Sequence, residues 1–183
     1  MHPQIAAWRG AFDEAPVRAR RLADGLTPEA FNAAPATGGW SVGQCLDHLV
    51  QTGAPLVPRL EAAVDRLRAS GKRGEPPYPL GFVGGRFAAL NAPGGPKAKT
   101  PAPLRPADVP LDPVAVLDAF AALNARLGAV VAQGHGLALA SLRVPSPALR
   151  LLRLNVAAWL ETTMQHQHRH LAQAEAARPE MPA

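Results

Sequence analysis

The chain has 183 residues, a single cysteine and a formal net charge of +5, with 48% of its residues hydrophobic. That length predicts one domain, over residues 3–178, and the composition is that of a globular chain rather than a disordered or disulfide-stapled one. The 19 basic residues are scattered, mostly as single arginines. The tightest basic clusters are Arg18-Ala19-Arg20-Arg21 and Lys72-Arg73, and no aromatic run interleaves with them to stack bases, which argues against nucleic acid.

Arg9, Asp13 and Glu14 fall within the first fifteen residues, so no signal peptide is expected. The least charged stretch, 127–142, is broken by Gly and carries Gln133 and His135, so no membrane span is expected either. The expectation is a soluble cytoplasmic protein with no membrane partner.

Richness in Ala and Leu predicts a helical core. Helix one is expected over 3–25, on the spacing of Ile5, Trp8, Phe12, Ala15, Ala19, Leu22 and Leu26, with Pro16 kinking it or ending its first half. Thr27-Pro28 reads as a cap opening a short turn to about Ala33. Ser41 and Gln44 form a capping box for helix two, with Trp40 stapled onto Cys45. That helix is expected to run to Ser70, kinked near Thr52 to Pro58 by Gly53, Pro55 and Pro58.

Residues 71–111 are rich in Pro and Gly and show little periodicity. A segment this long inside one domain reads as a crossover or a functional loop. A helical turn is expected at 85–91, with Tyr78, Phe82 and Phe87 packing the segment onto the body. Helix three starts at Asp112-Pro113 and ends at Gly134 to Gly136. Ser146-Pro147 is expected to open helix four by the same device, running to about Ala177, with Pro179 beyond it. Four long helices predict an all-α four-helix bundle. Short links join helices one to two and three to four, and the 71–111 link is long enough to travel the bundle, which predicts an up-down-down-up order.

His166 and His170 stand four apart, which puts both imidazoles on one helical face, roughly 6 Å apart along the axis. Such a pair can clamp a divalent metal through neutral imidazole nitrogens. His48 is the only histidine of helix two, near its start, and in the predicted topology that start is level with the end of helix four. All three imidazoles are therefore expected to converge. His168 is two residues from both and is expected on the opposite, exposed side; His135 and His2 are expected in a turn and at the terminus.

The segments Gly-Trp-Ser-Val-Gly-Gln-Cys-Leu-Asp-His-Leu (39–49) and His-Gln-His-Arg-His-Leu-Ala-Gln (166–173) resemble the two signatures of the DinB-like (YfiT-type) superfamily, and Val144 to Pro147 fits the approach to its fourth helix. The resemblance covers roughly residues 3–177. It implies an up-down-down-up bundle, often dimeric, whose three histidines, matching His48, His166 and His170, bind a divalent metal such as Zn or Ni. It implies a thiol S-transferase-like or hydrolase-like enzyme acting on a small molecule, with a low-molecular-weight thiol as co-substrate in the first case; the family also includes a thiol-dependent isomerase. This chain departs from the pattern in residues 71–111.

Three protein ligands leave open positions, where a metal lowers the pKa of a bound water or holds a thiolate. At helical spacing Gln44, Cys45, Gln51 and Thr52 flank His48, Thr162 and Thr163 flank His166, and Gln173 and Ala174 flank His170. A Gln or Thr among them would orient an imidazole through its second nitrogen. Cys45 reads foremost as a small core residue, and Arg21 or Arg105 would meet an anionic substrate group. No general base is obvious, since Asp47 points about 100° from His48. The alternative is a non-catalytic, stress-related protein that holds a metal or small ligand without turnover.

Overall fold

In a computed structural model, residues 1–36, 38–96, 100, 104–106 and 109–178 are described. The helices are α1 (Pro3–Ala23), α2 (Pro28–Asn32), α3 (Val42–Gly53), α4 (Val57–Ala69), α5 (Gly81–Asn91), α6 (Pro113–Gly134) and α7 (Val156–Ala177); two strands, β1 (Arg143–Pro145) and β2 (Arg153–Asn155), precede α7.

Side-chain pairs fix the direction of each helix. Trp8 bonds Glu161 and Arg18 bonds Glu175, so α1 and α7 run parallel. Asp13 approaches Gly128 and Arg20 pairs with Asp118, so α6 runs against α1. Glu61 pairs with Arg126 and Arg68 reaches Gln133, so α4 runs with α6. The order is up-down-down-up, as the link lengths predict. The core between these helices is built on Trp8, Phe12, Phe120, Leu46, Leu60, Leu127 and Leu160, all fully buried.

Several elements differ from expectation. Helix α1 passes Pro16 unbroken. The lost hydrogen bond costs about 3 kcal/mol in an exposed helix, but Phe12, Ala15 and Ala19 bury one face through this turn and hold it. Helix two divides into α3 and α4. At Gly53 an added Cβ would stand 2.6 Å from Leu123, so the chain needs glycine there to approach α6, and Pro58 then restarts the helix.

The crossover carries a full helix, α5, rather than one turn. Packing creates it: Phe87 sets its edge on Trp159 at 6.1 Å, and Gly84 lets α5 lie directly on Ala158 of α7. Tyr78 is buried and Phe87 is half-buried, but Phe82 is 86% exposed rather than packed onto the body. Gly84→Ala is expected to destabilise the fold by about 1–3 kcal/mol, seen as a lower urea midpoint. The new Cβ would stand 2.6 Å from the Ala158 Cβ, which has no rotamer by which to yield.

The largest correction is at helix four. It begins at Val156, capped by Asn155, whose Oδ1 accepts from the Ala158 N–H. The Ser146 hydroxyl does accept from the Ala148 and Leu149 N–H groups, but it caps only a turn. That turn joins β1 to β2 in an antiparallel hairpin with Val144 opposite Leu154. Both are buried while Arg143 and Arg153 beside them are exposed, the alternation of a half-buried strand.

Also against expectation, α6 is long and apolar enough to cross a membrane by length and composition, with mean hydropathy 1.7. It packs against α1, α3 and α4 in the bundle. The expected stop at Pro179 lies outside the described residues, as does much of 97–108.

Candidate metal centre

His48 sits in the second turn of α3. Ser41 Oγ accepts from the Gln44 N–H at 3.1 Å and Gln44 Oε1 accepts from the Ser41 N–H at 3.2 Å, so the predicted capping box sets where that helix starts. Helix α7 packs antiparallel on α3 and brings His166 and His170 to the level of His48. One nitrogen from each of the three rings lies within 4.8 Å of the others. His48 Nε2 and His166 Nε2 are 3.2 Å apart.

The rings are held at fixed angles. His48 and His170 have centroids 4.6 Å apart at 64°, and His166 and His170 have centroids 4.6 Å apart at 83°. The indole of Trp40 covers two of them, tilted on His48 at 4.7 Å and stacked on His170 at 5.5 Å. The predicted staple residue thus forms a wall of the histidine cluster.

His48 Nδ1 lies 2.6 Å from the carbonyl oxygen of Leu104. A carbonyl can only accept, so Nδ1 carries the proton and Nε2 presents its lone pair to the cluster. Leu104 belongs to the crossover, and a backbone carbonyl has no signature in sequence. Of the side chains expected to orient the rings, those flanking His48 do other work. Gln44 completes the cap, Gln51 donates to Asp47, and Thr52 donates to the carbonyls of His48 and Leu49. Thr162 and Thr163 are buried in α7, and Thr162 Oγ1 has no hydrogen-bond partner among the described residues. Gln173 lies beside His170 and slightly opposes the fall in its pKa.

All three imidazoles are shifted toward the neutral form. Burial pushes His48 down. Burial, then the neighbouring His170, His48 and Arg169, pushes His166 well below the ordinary range. Burial, His48 and Arg169 bring His170 down to about 3. Arg169, to which the sequence pattern assigns no role, also ties the crossover to α7 through the carbonyls of Leu90 and Pro96. His168 does face away from the cluster, but it is half-buried against α1 beside Arg18 and Met164 rather than exposed. Arg105 is exposed and donates to the Thr100 carbonyl, and Arg21 is exposed on α1.

The donor set fits a divalent cation. Two nitrogens each about 2.1 Å from one tetrahedral ion stand roughly 3.4 Å apart, close to the His48–His166 spacing. His170 Nδ1 is buried with no hydrogen-bond partner among the described residues, and three neutral imidazoles are the protonation state that a metal requires.

The sequence model of the DinB superfamily matches residues 11–174. The chain belongs to the DinB superfamily. A search of curated protein sequences found no match. Among solved structures, the chain is similar to YfiT from Bacillus subtilis, described as a probable metal-dependent hydrolase with an unusual four-helix bundle topology. The likeness has a TM-score of 0.57 at 15% identity and covers 97% of this chain and 87% of YfiT. At that identity it shows a shared fold, and with it that this DinB-superfamily chain has the YfiT type of bundle.

Cys45 is fully buried in α3, and burial pushes its thiol up to about 12. It is a core residue, as the sequence suggests, and not part of the cluster. The expected result is no reaction with a thiol reagent at pH 8 until the protein unfolds, read by labelling with and without denaturant. The same shift has a sign. The unfolded thiol ionises first as pH rises, so this contribution to stability is complete below the ordinary thiol pKa and is lost between about 9 and 12.

Proposed function

We propose that His48, His166 and His170 hold one divalent metal, Zn or Ni by ligand type, and that the protein is a metal-dependent enzyme of the thiol S-transferase-like or hydrolase-like kind. The observation that carries this reading is the Leu104 carbonyl on His48 Nδ1, which orients one imidazole toward two other neutral imidazoles. A metal bound by three histidines supplies a Lewis acid with open positions, able to favour a water or a thiol in its deprotonated, nucleophilic form. The chain's own residues orient and shield. The Leu104 carbonyl sets the tautomer of His48, Trp40 excludes water from one side of the rings, and burial, with a smaller contribution from Arg169, keeps both α7 histidines unprotonated. The single thiol, kept protonated in the core, suits a reducing cytoplasm.

Metal analysis of protein purified without added metal tests the site. About one ion per chain, lost in His48→Ala, supports it, and no metal in the wild type refutes it. Incubation with a panel of low-molecular-weight thiols and an electrophile, and separately with ester and amide substrates, then tests turnover. One observation favours a binder without turnover: Asp47, the carboxylate next to His48 in sequence, is engaged by Gln51 at 2.6 Å. Full metal loading with no metal-dependent rate on either panel would establish that second reading.

A further inference from the structure

The basic residues that are scattered in sequence gather in space. The end of the bundle away from the histidines is formed by the start of α1, the ends of α4 and α6, and the start of α7 with its hairpin. From Ala119 to Leu160 the chain carries four arginines and no carboxylate. Arg126 is paired with Glu61, but Arg143, Arg150 and Arg153 are exposed on the hairpin, with no ion pair among the described residues. Among the carboxylates near this end, Asp65 is paired with Arg68, and exposed Glu75 shares its segment with Lys72 and Arg73.

Large apolar side chains stand among these arginines. Leu151 is 96% exposed and Leu149 is 42% exposed, both at the hairpin turn. Phe82 is 86% exposed at the start of α5, which is held against the hairpin base where the Asn155 side chain donates to the Pro79 carbonyl. A single exposed leucine is ordinary, but three such side chains at one end, interleaved with unpaired arginines, form a surface with a use.

The geometry points to a docking surface for an anionic lipid bilayer, with Leu149, Leu151 and Phe82 entering the headgroup layer and Arg143, Arg150 and Arg153 on the lipid phosphates. Apolar anchors plus arginines are the combination that holds a protein reversibly on such a surface. Shape and charge select this occupant. The hairpin turn is exposed from Ala148 to Leu151, which fits a yielding surface better than the groove a peptide would need. A second copy of the chain would set three arginines against three. Val156, the first residue of α7, is about 15 Å along the helix from His166, so docking leaves the histidine cluster uncovered.

Co-sedimentation of the full chain with vesicles tests this, using phosphatidylcholine alone and phosphatidylcholine with about one-third phosphatidylglycerol. The expected result is binding at least about tenfold tighter to the anionic vesicles, lost in high salt. Leu151→Asp and Arg150→Glu should each weaken it about tenfold or more while leaving the melting temperature unchanged, because both side chains are exposed. A fluorophore on the thiol introduced by Leu151→Cys should shift to the blue on anionic vesicles only; Cys45 is buried and stays unlabelled. Equal affinity for neutral and anionic vesicles, or variants that bind like the wild type, would overturn the proposal. So would binding to polyglutamate but not to vesicles, which marks an acidic protein partner, or disulfide-linked dimers of the Leu151→Cys chain, which mark a second copy.

Discussion

Replacing His166 with alanine is expected to lower zinc affinity by at least about 100-fold and to abolish the thermal stabilisation that zinc confers on the wild type. For the wild type, zinc at about 1,000 times its dissociation constant adds roughly 4 kcal/mol, or about 8–16 °C in Tm for a chain of this size. The same substitution should leave the metal-free protein folded, and even slightly stabilised at acidic pH. Burial, with the neighbouring His170, His48 and Arg169, holds the His166 pKa well down, so the unfolded state takes up a proton there before the folded state does. The stability of the metal-free wild type is therefore full above the ordinary histidine pKa and falls as pH drops below it, and removing one imidazole flattens that fall. Scanning calorimetry at pH 7 and pH 5, with and without zinc, reads both effects. His168→Ala is the control. Its ring faces α1, and the zinc-induced shift should survive intact.

The bundle and the three histidines were legible because their signals are local and strong. Ser41 with Gln44 fixes the start of α3, His166 and His170 share a face by spacing alone, and the length of 71–111 sets the topology that makes them level with His48. What was not legible has a common cause. Helix α5 contains Gly81, Gly84 and Gly85 and has weak helical preference of its own; the face of α7 that it packs against is set by residues some 75 positions away. Ser146-Pro147 carries the same cap chemistry as Asp112-Pro113, and only the burial of Val144 against Leu154 decides that one opens a turn and the other a helix. The Leu104 carbonyl and the two carbonyls on Arg169 belong to the backbone, which every residue has. The basic end is assembled from positions far apart in the chain, so a search for charge runs passes over it.

Trp8→Ala is expected to cost about 3–5 kcal/mol, a large share of the roughly 5–15 kcal/mol that holds such a domain folded. The indole is fully buried and its Nε1–H donates to Glu161 Oε2 at 2.8 Å, which joins α1 to α7. Its ring stacks on Tyr78 at 6.4 Å and 11°, and Tyr78 is fastened in turn. Its N–H donates to Gln4 Oε1, its carbonyl accepts from Gln4 Nε2, and its hydroxyl donates to the Gly74 carbonyl. Truncation therefore opens a cavity on the α1–α7 seam and removes the platform that the first part of the crossover closes on. Trp8→Phe separates the two contributions. It keeps an aromatic ring under Tyr78 but removes the donor to Glu161, whose other oxygen still accepts from Gln165 at 3.0 Å. Glu161 is half-buried and water can replace the indole N–H, so the expected cost is about 1–2 kcal/mol. Urea unfolding of both variants measures the difference. Limited trypsinolysis after Arg73 should accelerate in Trp8→Ala and change little in Trp8→Phe. Zinc content of the folded fraction should match the wild type in both, because Trp8 meets the Glu161 face of α7 and the histidines occupy another. A parallel loss of metal would mean that the crossover, through Leu104 on His48, transmits the damage from one end of the bundle to the other.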